Sequence, residues 1–292
     1  MTRAGIVTVV GKPNAGKSTL LNRIIGQKLS IVSPKPQSTR DRIVGIHSDA
    51  DVQMVILDTP GLLNPKYALQ RAMRATALAA LRDADVIVHV VDAKEEAPEP
   101  LAIAAALERE PAAHVITALN KADLLSAKRR AALTKQFPDA QLISATNGDG
   151  VKDLLRRTAD LLPESPFLYP DDEISIQNLR FFASELIRET ALEQLSEEVP
   201  YSIACEIEEF REDRKPVYIR AVLHVERDSQ KRILIGAKGQ QIRSIGQAAR
   251  KKIESLLGES VYLDLWAKVL PNWRKNVRAL ARFGYHVQPD HK

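Results

Sequence analysis

Cysteine is almost missing from this 292-residue chain, where Cys205 stands alone. A single thiol excludes an intramolecular disulfide framework and suits a reducing cytosol. Cys205 itself reads as a small core residue on a strand. Long apolar runs are missing too. No stretch approaches the roughly 18 residues that a membrane span needs. The N-terminal MTRAGIVTVVGKP has too short an apolar run, and no small-residue cleavage site, for a signal peptide. Internal repeats and low-complexity tracts are absent as well. The expectation is a cytoplasmic globular protein. Its composition, 45% hydrophobic and 27% charged, provides ample core material, and its length suggests two domains.

Charge is unevenly spread. From Arg214 onward there are 17 Lys/Arg against 6 Asp/Glu, whereas residues 1–213 hold 25 against 31. A basic second half in a chain of net charge only +5 points to a polyanionic partner, nucleic acid or anionic lipid.

The pattern of elements changes at the same place. Strand-like runs at 5–10, 43–48, 52–57, 84–92, 113–121 and 140–145 alternate with helical patterns at 17–25, 67–82, 98–109, 126–136 and 150–162. Alternation of this kind predicts an α/β domain with a mostly parallel sheet and helices on both faces. Three prolines in LLPESPFLYPDDE then mark a linker. The expected boundaries are 1–165 for the first domain, 166–175 for the linker and 176–292 for the second domain. The second domain is α+β, in the order α-β-β-α, a GAKG loop, then α-β-α, with its first helix over 174–195.

Residues 11–18, GKPNAGKS, match G-x-x-x-x-G-K-[ST] between a strand and a helix. Such a loop turns backbone N–H groups onto phosphates, with the helix dipole behind them. The predicted nucleotide-contacting set is Gly11, Lys12, Pro13, Asn14, Ala15, Gly16, Lys17, Ser18 and Thr19. Lys17 is placed to reach the β- and γ-phosphates and Ser18 to ligate Mg²⁺. Alone, the motif also fits ATPases and small-molecule kinases. Further segments narrow it. DTPG follows a strand, with Asp58 as a metal-associated carboxylate, Thr59 and Pro60 in the turn, and Gly61 offering its N–H to a γ-phosphate. NKAD supplies Asn120, Lys121 and Asp123. The Asp123 carboxylate can accept from guanine N1–H and N2–H₂, a donor pair that adenine lacks. SAT, with Ser144 and Ala145, closes a strand where a backbone N–H can meet guanine O6. The four motifs in this order predict binding of GTP and GDP with Mg²⁺.

With these motifs the chain resembles the translation-factor-like GTPases. SPKPQSTRDRIVGI at 33–46 makes it closest to the Era family, whose switch I reads Pro-x-x-Thr-Thr-Arg before Arg-Ile-x-Gly. Ser38 replaces the first Thr. Thr39 matches the residue implied to ligate Mg²⁺ and sense the γ-phosphate, so Mg²⁺ would be held by Ser18, Thr39 and Asp58. Leu62 stands where a Ras-like enzyme carries its water-orienting Gln, so the expected intrinsic hydrolysis is slow. The catalytic set is then Lys17, Thr39, Gly61 and Asn14. The resemblance implies K⁺ at Asn14; a turn-compatible residue is the other reading.

The order α-β-β-α-GxxG-α-β matches a type II KH domain, which extends the resemblance over nearly the whole chain. A GxxG loop clamps about four nucleotides of single-stranded backbone. The expected RNA-contacting residues are Gly236, Ala237, Lys238, Gly239, Gln240, Gln241 and Arg243. Arg250, Lys251, Lys252, Arg274, Lys275, Arg278 and Arg282 read either as further phosphate contacts or as solvated helix faces. Trp266 and Trp273 read as core or interdomain packing rather than base-stacking platforms. The resemblance implies 16S rRNA near its 3′ end, the small ribosomal subunit and 30S assembly, with peripheral association at the inner membrane face through the basic last helix as a further reading. The alternatives are a constitutive RNA-binding protein with a vestigial G domain, against which the intact Lys17, Ser18, Thr39, Asp58 and Asp123 argue, and a related ribosome-assembly GTPase with tandem G domains.

Overall fold

A computed structural model describes residues 1–95 and 97–287. The chain divides into two compact units, Met1–Pro65 with Met73–Ile176, and Lys66–Ala72 with Gln177 onward.

The first unit is built on β1 (Arg3–Val10), α1 (Lys17–Ile25), β2 (Ile43–Ser48), β3 (Val52–Asp58), α2 (Ala68–Arg82), β4 (Val86–Asp92), α3 (Leu101–Ala105), β5 (His114–Asn120), α4 (Ala127–Gln136), β6 (Gln141–Leu142) and α5 (Val151–Leu161). Its six-stranded sheet has the order β2-β3-β1-β4-β5-β6 and is parallel except for β2, which runs antiparallel to β3. β4 is buried along its whole length, as a central strand covered on both faces must be. The register aligns Val9 with Asp58, Val10 with His89, and Asp92 with Asn120. β1 and β3 therefore end within one residue of each other, β4 and β5 end together three residues further on, and the loops leaving all four lie at the carboxyl end of the sheet, where open α/β folds bind ligands.

Two sequence expectations contract. The helix expected over 98–109 is only Leu101–Ala105: Pro100 precedes its first turn, and Ala106 stops it with φ 48°. The strand expected over 140–145 pairs only at Gln141–Leu142, because Ser144 donates its N–H to Asp149 and begins a loop. The proline-rich stretch runs along the edge of the sheet. Gln53 accepts from the N–H groups of Leu168 and Tyr169 and donates to the Tyr169 carbonyl. Ile46 N–H donates to Ile174, and the Ser175 hydroxyl to Val44. The outer edge of β2 is thereby covered rather than left as an open template.

The second unit contains α6 (Leu179–Gln194), α7 (Val199–Ser202), β7 (Ala204–Arg211), β8 (Val217–Val225), α8 (Asp228–Ile235), α9 (Gln240–Leu257), β9 (Val261–Val269) and α10 (Val277–Arg282). α6 starts at Leu179 and not at 174, because Asn178 caps it by accepting from the Phe181 N–H. The sheet order is β7-β8-β9, with β7 antiparallel and β9 parallel to β8. Alternate residues of β8, from Val217 to Val225, face inward onto Ile187, Leu234, Ile245 and Ile253. Each Val, Leu or Ile among them contributes about 1.5–3 kcal/mol. Cys205 packs against this core, and burial pushes its thiol far above the ordinary range, so it stays a protonated, inert packing group. Trp273 is fully buried and donates its indole N–H to the Ser202 carbonyl. Trp266, expected to be buried too, is 54% exposed on the sheet face turned away from the helices. Among the described residues no helix is long and apolar enough to cross a membrane.

Candidate functional site

The first loop joins β1 to α1. Gly16, with φ 99°, ends the loop, and the helix starts at Lys17 without a side-chain cap, leaving its first N–H groups available. Lys17 is buried, and its ammonium donates to the carbonyls of Gly11 and Lys12 at 3.1 and 3.0 Å. Burial lowers its pKa to about 8, with the charge of Asp58 opposing the shift. Asp58 itself is fully buried at the end of β3, and burial raises its pKa against the pull of Lys17 and of the Ser18, Ser30 and Thr39 hydroxyls.

Three oxygen-bearing side chains meet here from three separate segments. Ser18 Oγ donates to Asp58 Oδ2 at 2.7 Å and lies 2.9 Å from Thr39 Oγ1. Asp58 Oδ1 is buried with no hydrogen-bond partner. An all-oxygen donor set with an uncommitted carboxylate oxygen fits Mg²⁺, a hard cation that keeps several ligand positions for water and phosphate. Among the described residues there is no cluster of three or more His, Cys, Asp or Glu for a metal held by protein alone. Ser30 was missed by sequence reasoning. Its buried hydroxyl donates to Asp58 Oδ2 at 2.7 Å, and Asn22 fixes its loop by accepting from the N–H groups of Leu29 and Ser30. No sequence signal marks either residue.

The switch segment and the DTPG turn close around the phosphate loop. A cavity of about 430 Å³ is lined by Asn14, Lys17, Ser18, Thr39 and Gly61, among others. A Cβ on Gly61 would lie 2.8 Å from the Pro13 nitrogen, so only glycine allows this approach. Asn14 holds φ 64° and donates its side-chain N–H to the Pro34 carbonyl at 2.9 Å. Thr59 faces away from the cavity and ties DTPG to β1 by donating to Val9. Leu62 is buried with Val10, Leu81 and Ile87, and its N–H donates to Gly11.

The base-recognition motifs share one brace. Asn120 donates to the Ala15 carbonyl at 2.8 Å and accepts from the Ala145 N–H at 2.9 Å. It therefore links the phosphate loop, NKAD and SAT. The Ala145 N–H expected to meet guanine O6 is the one that Asn120 engages. Lys121 turns the chain with φ 65° and pairs with Asp92. Asp123 follows in a short 3₁₀ turn, Ala122–Leu124, half-exposed. The Ser144 hydroxyl accepts from Asn147 N–H and shapes the loop rather than facing outward.

The second glycine loop joins α8 to α9. Gly236 has φ 72°, Lys238 50° and Gly239 77°. A Cβ at Gly236 would lie 2.9 Å from the backbone nitrogen of Gln241, whereas one at Gly239 would meet nothing within 4 Å. Ala237 and Lys238 are exposed at the tip. Beside the loop lies an open groove of about 500 Å³ between α9 and β9, lined by Ile242, Arg243, Gly246, Arg250, Leu263 and Leu265 among others. Gln240 is exposed at the first turn of α9, but Gln241 turns towards Gln194 on α6. Several of the basic residues are committed elsewhere. Lys252 pairs with Glu189 and Glu193, Arg274 with Glu226, and Arg282 with Glu206.

Comparison with known proteins matches both regions. Residues 6–121 fit the family described as 50S ribosome-binding GTPase, and residues 198–274 fit the KH domain family. The chain is 45% identical to GTPase Era of Pseudomonas aeruginosa over 97% of its length and 95% of the relative's. It is 44% identical to GTPase Era of Azotobacter vinelandii, with 97% of both chains covered. A crystal structure of an Aquifex aeolicus Era variant bound to GDP.AlF4⁻ superposes with a TM-score of 0.89 at 38% identity, covering 98% of this chain and 100% of that one. A second structure, of Era with MgGDPNP and nucleotides 1506–1542 of 16S ribosomal RNA, gives 0.90 with the same identity and coverage.

Proposed function

The chain belongs to the Era family of GTPases, and on that premise we propose that it is a slow GTP-driven switch that binds 16S rRNA near its 3′ end and acts in 30S subunit assembly. Lys17, Ser18 and Thr39 line one cavity, with Asp58 buried behind them and bonded to Ser18, and this carries the reading, because such a site responds to the γ-phosphate through the switch residue Thr39. The GTPase domain is assigned to 1–165, the linker to 166–175 and the KH domain to 176–292.

In the nucleotide-bound state the backbone N–H groups of residues 11–19 other than Pro13 surround the phosphates, and Lys17 releases its carbonyl partners to meet the β- and γ-oxygens. Ser18, Thr39 and Asp58 hold Mg²⁺, directly or through water. When bound, Mg²⁺ neutralises charge that develops on the phosphate oxygens. The Gly61 N–H points to the γ-phosphate. Asp123 accepts from guanine N1–H and N2–H₂, Lys121 lies along the base, and the SAT loop supplies an N–H to O6 once the Ala145–Asn120 bond is shared. Leu62 is buried and positions no water, so hydrolysis rests on electrostatic stabilisation and is slow without a partner. Asn14 and the carbonyls near Pro34 would hold K⁺; this requires the Asn14 amide to turn its oxygen inward. Hydrolysis at equal ionic strength in KCl and NaCl tests it, and equal rates would remove K⁺ from the scheme.

The GAKG loop holds the RNA backbone through Lys238, Gln240 and the first amides of α9, with Arg243 along the groove and the bases against Ile242 and Leu265. The protein works in the cytoplasm. Membrane attachment through the last helix has less support, since α10 spans six residues and Arg282 is paired with Glu206. The deciding experiment measures binding of the 16S segment in GTP-analogue and GDP states. RNA affinity that ignores the nucleotide would leave an RNA-binding GTPase without a switch.

A further inference from the structure

Helices α6, α8 and α9 cover one face of the sheet in the KH unit; the opposite face is covered at one end, where His224 is buried against Phe283 at the end of α10, and exposed at the other. On that outer face β8 presents Tyr218, Arg220 and Val222 opposite Tyr262, Asp264 and Trp266 of β9. The Tyr218 and Tyr262 rings stack 5.8 Å apart and 11° from parallel. The guanidinium groups of Arg211 and Arg220 lie 5.6 and 5.7 Å from the Tyr218 ring centre. Tyr262 is 59% exposed, and, with Trp266, it belongs to the largest apolar side chains that the fold leaves in water. Exposure of two large rings on one strand face is not what packing alone would produce.

We propose that this outer face is a second single-stranded RNA site, where bases leaving the α9–β9 groove stack on Tyr262 and Trp266. The inference rests on reading that groove as the KH site. Tyr262 also lines the groove, so one residue joins the two surfaces across the edge of β9. Along the strand, Tyr262 and Trp266 lie four residues apart on the same face, about 13 Å, and form two separate stations. Between them sits Arg220, tied to Asp264 and Glu209 at 3.2 and 2.7 Å. That polar pair interrupts the apolar surface, which disfavours a protein partner needing a continuous apolar centre. Flat rings separated by hydrogen-bonding groups suit bases, as on other sheet-face RNA platforms. The local charges are matched: Arg211 and Arg220 pair with Glu209, Arg220 also pairs with Asp264, Lys268 with Glu208, and Arg282 with Glu206. Affinity here comes from stacking, and it is insensitive to salt.

Trp266 is the clean probe, since it lies outside the groove and its exposure makes Trp266→Ala tolerable to the fold. The RNA probes are the 16S segment 1506–1542 and a single-stranded oligonucleotide of about four residues, long enough for the GxxG groove alone. Trp266→Ala is expected to weaken the long RNA about tenfold, to leave the short one and GTP hydrolysis unchanged, and to keep the slope of log affinity against log salt. In wild type, the long RNA should shield Trp266 fluorescence from iodide; Trp273 is buried and gives a constant background. A double substitution, Ala237→Asp with Lys238→Asp, tests the groove separately and retains both glycines. If that variant loses both RNAs while Trp266→Ala binds the long one normally, the platform is overturned and the groove reading stands. If it loses neither, the groove reading itself fails. Unshielded Trp266 on RNA, with the Trp266→Ala protein failing to join small-subunit particles, would reassign the face to a protein and overturn the proposal.

Discussion

The two glycine loops begin alike and are finished differently. Each sits at the N-terminus of a helix, α1 or α9, with left-handed backbone that opens amides to a phosphate. Around GKPNAGKS the fold places a buried lysine, a buried carboxylate and three hydroxyls, and the pKa values of Lys17 and Asp58 move away from their solution values. Around GAKG the tip residues Ala237 and Lys238 are exposed and the adjacent groove is open. A cavity backed by buried charged groups suits a compact anion with a metal, whose state it can sense. An open clamp suits a polymer that enters from the side. The loop provides phosphate affinity in both places; the surroundings decide between a switch and a grip.

The largest test of this contrast concerns discrimination. Asp123→Asn should invert the preference from GTP to XTP by about 10⁴, read by competition binding, with RNA affinity untouched. Unchanged GTP preference would remove Asp123 from base recognition. Next, Lys17→Ala leaves Asp58 without its neighbouring cation and takes a donor from the phosphates. GTP affinity should fall by about 3 kcal/mol, roughly 100-fold, in a fluorescent-nucleotide titration. The open clamp should respond less: the Ala237→Asp, Lys238→Asp protein should lose about 2 kcal/mol, or roughly thirtyfold, in RNA affinity, with nucleotide affinity preserved. Coupled losses at both sites in nucleotide-free protein would break the comparison.

The smallest effect is a pH dependence confined to the first loop. With a pKa of about 8, Lys17 loses its proton between pH 7 and 9 in the nucleotide-free protein. GTP affinity should drop about tenfold over that range, and binding near pH 8.5 should take up a proton, visible by calorimetry in buffers of different ionisation enthalpy. The stability linkage has the opposite sign. The unfolded lysine keeps its proton up to about 10.5, so between 8 and 10.5 the unfolded state binds more protons and the free protein gains stability as pH rises. RNA binding through GAKG should show no such step.

Much of the first site is legible in the sequence, because phosphate and guanine recognition need particular residues at fixed short spacings. Ser30 is not: its bond to Asp58 joins residues 28 apart, and serine is ordinary in a loop. The role of Asn120 as a three-way brace is hidden for the same reason, since Ala15 lies 105 residues away. The alternation in β9 marks a strand with two faces but does not reveal that the outer one is covered only towards His224 and leaves Trp266 exposed, and so Trp266 reads as packing. The helix expected over 98–109 fails where apolar periodicity meets proline: Pro98 and Pro100 disfavour helical backbone before them, and α3 forms only after Pro100.

Leu62 has a consequence for how this protein can change. A glutamine there is the shortest route to faster hydrolysis by chemistry already known to work. Here that position belongs to the packing of Val10, Leu81 and Ile87, and an amide placed among them would be buried without partners. Leu62→Gln is therefore expected to cost about 1–3 kcal/mol of folding stability alongside any gain in rate. At position 62, intrinsic speed and the stability of the first domain therefore pull in opposite directions.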